Sequence, residues 1–370
     1  MSEVKRLLHG LRPALHFDFD ERFYADPPTV LVDNSYCDGP SRDYVTRLLR
    51  EDGEEIARVG HPDVARRLSL DYLRPDEYPC AEKPATGDYL DPGFEWVADA
   101  RRAHGATPGA NRIYGWIADS ADGGHWLQYW FFYFASTKGL PGVRSASGTL
   151  GSFLHAGDWE MVQLHIPTDE ESPDRATYAA HDYAFKVEDP SQVMQDGPPS
   201  VFIGLDSHAS YPFAGRWRNL GKDLLQLFKA LDDRCNPHGE PLRPDLEEID
   251  ESAHRWAWWP GRWGRSGPRS PALQDPWLDP DRFHREAHEV PDGLRADLEE
   301  EGIVTPADLP VTVERRDGTV VVSFNIPPEL EDDWAGVLTL AFDPPGSAPP
   351  DQHMYDVSGP GQKLPLNGET

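Results

Sequence analysis

His155-Ala156-Gly157-Asp158-Trp159-Glu160 sets one imidazole and two carboxylates side by side at the start of an apolar run that continues to Ile166. In an extended strand, residues two apart share a face. Asp158 and Glu160 therefore point together, and Trp159 and Met161 point the other way. His155 is read as part of the loop entering this strand, from which it folds back toward both acids. Two hard oxygen ligands with one imidazole suit Ca²⁺, Mg²⁺ or Mn²⁺, with Ca or Mg foremost, whereas zinc takes more His or Cys. Glu160, carried inward by the strand, is the more remote ligand. The competing reading is a buried His–Asp hydrogen bond that only ties the loop. The apolar surroundings count against it, because carboxylates beside a core are costly without a partner.

Other polar residues can join this set. Asp206-Ser207-His208-Ala209-Ser210-Tyr211 follows the apolar stretch 201–205, and a polar cluster after a buried strand either faces a site or forms a capping turn. His208 and His181 are the candidate general bases if a bound cation activates water. His181 lies in the stretch 176–187, read as one strand, where a satisfied core histidine is the other reading. No nucleophile elbow, phosphate-binding loop or dinucleotide fingerprint occurs. Asp18, Asp20 and Glu21 read as a solvated acidic face. Trp256, Trp258, Trp259 and Trp263 read as packing beneath a loop-rich cap, with a glycan or lipid platform as the sharper reading.

The elements that must position these residues are mostly strands. Residues 15–23 alternate apolar and polar, and 29–32 form a second short strand. Residues 41–57 carry helical spacing in Val45, Leu48, Leu49 and Ile56, and 63–70 form a short helix. Residues 112–118 and 126–134 flank turn chemistry and predict a hairpin. Strands follow at 160–166, 176–187 and 200–205. Residues 220–232 and 281–301 carry helical patterns, the second broken at Pro291, and 236–248 is loop. A further hairpin is expected at 311–314 and 319–326, with a last strand at 335–342. This pattern predicts a mainly β chain: a β-sandwich core over residues 13–280 with helical insertions, a helix plus small β-hairpin appendage over 281–342, and a disordered tail over 343–370.

The net charge of −29 disfavours nucleic acid and anionic membrane surfaces as partners. The 3 cysteines are widely spaced and form neither a disulfide framework nor a metal motif. The N-terminus has no apolar leader and no window is apolar enough to span a membrane, so the cytoplasm is the default, with non-classical export left open.

Four motifs in order carry a resemblance: LQYWFFY at 127–133, HAGDWE at 155–160, DSHASYP at 206–212 and WAWWPGRWG at 256–264. With the opening PALHFDFDERF at 13–23, they resemble the vacuolar protein sorting-associated protein 62 family across residues 13–280. Where that family has Gly-Ser before His-Ala-Ser-Tyr, this chain has Asp206-Ser207. HAGDWE is also similar to the heptapeptide of the Nep-like necrosis-inducing cytolysins. That second likeness implies a β-sandwich holding a divalent cation at Asp158, with His155 and Glu160 beside it, and a sphingolipid head group as ligand. Gly157 replaces one histidine of that motif, and the likeness implies Asp206 in place of a missing upstream acid. Taken together, the chain is expected to be a cation-dependent binding protein for an anionic or polyhydroxylated head group, lipid or glycan. A metal-dependent hydrolase using the same pocket and a structural or assembly module are the alternatives.

Overall fold

The computed structural model describes residues 2–18, 21, 23–32, 45–73, 86–92, 111–136, 155–181, 183–194, 197–217, 233–237, 239–265 and 267–290, and the strands of 311–316, 319–326, 336–342, 358–359 and 362–363. The chain is mainly β and divides into two compact units. One comprises Met1–Thr137, His155–Gln226 and Asp232–Ile303; the other comprises Lys138–Leu154, Leu227–Leu231 and Val304–Thr370.

The strands of the first unit are β1 (Ala14–Phe17), β2 (Arg47–Leu49), β3 (Glu55–Arg58), β4 (Tyr89–Asp91), β5 (Arg112–Asp119), β6 (His125–Ser136), β7 (His155–Ile166), β8 (Arg175–Ala180), β9 (Tyr183–Val187), β10 (Ser200–Ile203), β11 (Ser210–Tyr211), β12 (Gly215–Trp217), β13 (Asp233–Cys235), β14 (Asp245–Glu248) and β15 (His288–Glu289). Its centre is a seven-stranded sheet in the order β14-β5-β6-β7-β8-β9-β15, antiparallel except at its two edge pairs. On one face, Leu15, Phe17, Val201 and Ile203 of the small sheet β1-β10-β11 meet Tyr129, Phe131, Tyr133, Val162 and Leu164. On the other, the sheet β3-β2-β4 and the indoles of Trp256, Trp259 and Trp263 cover Trp130, Phe132, Phe134, Trp159 and Met161.

This double covering explains the aromatic run. A sheet buried on both faces needs apolar residues at nearly every position rather than at alternate ones. Every residue of β6 and β7 after the first is buried. The polar exceptions are satisfied. Gln128 and Gln163 face each other across β6 and β7, and each donates to a backbone carbonyl, of Pro276 and Pro280 respectively. These bonds tie down the short helices α3 (Asp275–Leu278) and α4 (Pro280–Glu286). The Trp-rich segment is packing: Trp256, Trp259 and Trp263 are buried and Trp258 is half-buried.

Two helices precede these. α1 (Glu3–Gly10), which the sequence reading did not anticipate, is capped by the Ser2 hydroxyl and buries Leu7 and Leu8. α2 (Thr29–Val32) replaces an expected strand, because Pro27 and Pro28 pre-set the helical φ and their carbonyls accept from Val30 and Leu31. Of the expected helix over 41–57, residues 41–44 lie outside the described residues and 47–57 form the β2–β3 hairpin instead. Leu48 pairs with Ala57 across a turn in which Gly53 adopts φ 90° and Arg50 N–H donates to Glu54. The stretch 176–187 is two strands, with His181 at the turn between them and φ 57°. Residues 245–248, expected as loop, form an edge strand parallel to β5. The expected helix 220–232 lies outside the described residues, as does 291–301.

In the second unit, β16 (Val311–Arg316), β17 (Thr319–Ile326) and β18 (Gly336–Phe342) form an antiparallel sheet, close to the expected hairpin and last strand. Within the expected tail, Ser358–Gly359 pairs with Gln362–Lys363; its other residues lie outside those described.

Candidate functional site

Asp158 and Glu160 do share one face of β7. They stand opposite Tyr133 and Phe131 of β6, on the side covered by β1 and β10. Both are buried, at 5% and 7% exposure. His155 is not in a loop: it begins β7, paired with Ser136. Gly157 then adopts φ 60° and interrupts the strand's regular alternation before Asp158. A Cβ at Gly157 would stand 2.4 Å from the Trp263 carbonyl oxygen, so only glycine fits there. His155 makes no hydrogen bond or ion pair with Asp158 or Glu160, and its Nδ1 is buried without a hydrogen-bond partner.

The imidazole that does reach Asp158 is His208. It is fully buried, with Nδ1 3.1 Å from Asp158 Oδ2 and Nε2 3.6 Å from Glu21 Oε1. Its ring stacks on Tyr133 at 4.1 Å between centroids, 9° from parallel. Glu21, expected on a solvated face, is buried and fixed by backbone donors: Phe23 N–H at 2.8 Å and Asp206 N–H at 2.7 Å. Asp18 is also buried, clamped by Arg234 at 2.9 and 3.0 Å. The signal for both lay in the sequence, since these acids are interleaved with Phe17, Phe23 and Tyr24.

The charges follow from this geometry. Burial alone lowers the His208 pKa, but the charge of Glu21 and the hydrogen bond to Asp158 outweigh it and push it up from 6.5 to about 9. Burial alone raises that of Glu21, but the His208 charge and the two N–H donors hold it down at about 2. At neutral pH this is an imidazolium between two carboxylates. Burial, then the charges of Glu160, Asp158 and Glu21, keep Tyr133 protonated well above its ordinary value. Its hydroxyl is buried and makes no hydrogen bond.

The loop 206–211 connects this cluster to a second one. Asp206 contributes its backbone: its N–H binds Glu21 and its carbonyl accepts from Ser136 Oγ at 3.3 Å. Both Asp206 and His208 hold positive φ, at 63° and 60°. Ser207 Oγ donates to Asp233 Oδ1 at 2.6 Å, and Tyr211 hydroxyl donates to Asp233 Oδ2. The same Oδ2 lies 2.6 Å from His181 Nε2. The structure thus brings Asp158 and His208 together, sets Glu160 on the same strand face as Asp158, and places His181 on Asp233 instead. Ser207 bonds the acid and not the histidine, so these three form no hydrolytic triad. Glu21, Tyr133 and Asp233 were missed as site residues. Among the described residues no three His, Cys, Asp or Glu side chains stand in metal-holding geometry.

No family model matches the sequence, and no curated protein matches it. The resemblance to the vacuolar protein sorting-associated protein 62 family therefore has no support from either comparison. Among solved structures the chain is similar to Necrosis and Ethylene inducing Protein 2 from the causal agent of cocoa's Witches Broom disease, at 14% identity. The likeness covers 76% of this chain and 90% of that one, with a TM-score of 0.35. No helix among the described residues is long and apolar enough to cross a membrane.

Proposed function

We propose that the chain is a divalent-cation-dependent binding protein, with Asp158 and Glu160 as cation ligands and Glu21 as the third acid of the pocket. One observation carries this reading: the Tyr133 hydroxyl, fully buried and unbonded, in the field of three carboxylates. A buried donor without a partner costs about 1–3 kcal/mol. Bound Ca²⁺ or Mg²⁺ would bring oxygen ligands into the pocket for it to bond. Such a cation takes six or more oxygens, so ligand oxygens complete its shell. An anionic or polyhydroxylated head group, lipid or glycan, supplies them. Asp206 serves this pocket through its backbone bond to Glu21, and His155 as the end of the strand that carries the acids.

The hydrolase alternative loses one of its two candidate bases in the pocket, and the other, His181, stands on Asp233. His208 is protonated at neutral pH and fully buried, so it cannot take a proton from water. The structural alternative has one observation in its favour: the His208 imidazolium already neutralises Asp158 and Glu21. Calorimetric titration of Ca²⁺ and of Mg²⁺ into the chelator-treated chain separates the two. Saturable binding that Asp158→Asn and Glu160→Gln each weaken supports the cation site. No binding heat with either metal, in a chain that stays folded, leaves the structural reading.

A further inference from the structure

The opposite face of the central sheet carries a cavity of about 430 Å³ whose residues take no part in the pocket above. It opens between α2, the 3₁₀ turn Leu70–Leu73, β5, β14 and the turn Arg255–Trp258. Its volume lies within the range of small-molecule sites, about 300–1,000 Å³. Its floor is apolar: Tyr114 and Trp256, packed edge to face with centroids 5.1 Å apart.

The charges around this floor are already engaged. Arg112 Nη1 donates to Glu247 Oε2 at 3.2 Å, and His254 Nε2 lies 2.9 Å from Glu247 Oε1. Asp71 and Arg255 have interactions of their own. A charged ligand must either break such a pairing or enter without a counter-charge, and both are costly. The lining therefore favours a neutral molecule.

What the lining leaves open is hydroxyls. Tyr114 is 4% exposed, and its hydroxyl makes no hydrogen bond among the described residues. Burial, then the charge of Glu247, raises its pKa, so the phenol stays a neutral donor. The Thr29 hydroxyl likewise makes no hydrogen bond among the described residues. Ser69 Oγ accepts from Tyr72 N–H at 3.3 Å and keeps its own proton to donate. Each of these groups can donate, and a purely apolar occupant would leave all three without water or partner. A molecule that meets them over an apolar floor needs several hydroxyls and a face of C–H groups. We infer that this cavity binds a neutral sugar of mono- or disaccharide size, its hydroxyls on Thr29, Ser69 and Tyr114 and its C–H face over Tyr114 and Trp256.

Calorimetry on the full chain in chelator-containing buffer tests this; no cation takes part, so a failure here leaves the Asp158 pocket untested and intact. The probes are D-glucose, D-galactose, D-mannose and N-acetyl-D-glucosamine. Glucuronate, and glucosamine at about pH 6 where its amine is charged, are the charged comparators. The expected result is saturable binding of at least one neutral sugar at about 1 mM or tighter, with both charged sugars at least about tenfold weaker. Tyr114→Phe removes a hydroxyl that the fold does not bond and should weaken binding about tenfold. Ala253→Trp, at an exposed lining position where substitution spares the fold, should abolish it by filling the cavity. A charged sugar that binds as tightly as the best neutral one, unchanged affinity in either variant, or no saturable heat from any of the four neutral sugars at about 10 mM would each overturn the inference.

Discussion

Asp158→Asn removes one carboxylate from His208 while keeping the volume and a hydrogen-bond acceptor. The rise of the His208 pKa from 6.5 to about 9 corresponds to about 3 kcal/mol of preference for the folded imidazolium. Glu21 and Asp158 share that effect, and Glu21 is the larger contributor. Asp158 therefore accounts for the smaller part of it, on the order of 1 kcal/mol. Because the folded-state value lies above the unfolded one, this stabilisation is fully present below about pH 6.5 and is lost as pH rises through about 9. Urea unfolding followed by Trp fluorescence is the assay, since all tryptophans but Trp334 belong to the first compact unit. The penalty of Asp158→Asn should be on the order of 1 kcal/mol at about pH 6 and clearly smaller at about pH 10. A penalty that is the same at both pH values, or larger at the higher one, refutes the imidazolium account.

Three further outcomes follow from the same geometry. Gly157→Ala should cost about 3 kcal/mol or more in the same unfolding assay, because the methyl meets the Trp263 carbonyl and φ 60° strains any side chain. Gln128→Leu should cost about 2 kcal/mol, since it strands the Trp130 indole N–H and the Pro276 carbonyl in the core; a neutral Gln128→Leu would show that these groups find other partners. Tyr133→Phe deletes an unbonded buried hydroxyl, so stability in metal-free buffer should hold or rise by up to about 1 kcal/mol. Calcium affinity, measured by calorimetry, should drop in the same variant.

The central hairpin was legible because turn residues between two long apolar runs leave few alternatives, and β5 and β6 pair as that pattern implies. The β2–β3 hairpin was not, because Leu48, Leu49 and Ile56 also fit one helical face; Asp52-Gly53, a turn signal between them, was the discriminating feature. At the site, period-two reasoning placed Asp158 and Glu160 together. It failed for His155, which was assigned to a loop on the assumption that the strand began later. The partner actually found, His208, comes from a loop fifty residues on, and local spacing carries no information about such contacts. Glu21 differs: its acidic run is interleaved with Phe17, Phe23 and Tyr24, a local sign that packing closes over it.

The account turns on whether Asp158 and Glu160 hold a cation. Elemental analysis of the purified chain after exhaustive dialysis against buffer containing Ca²⁺ and Mg²⁺ addresses this most directly. About one equivalent of Ca or Mg per chain, lost in Glu160→Gln, is the predicted result. A wild-type chain that comes through the same dialysis folded and free of both metals would contradict it.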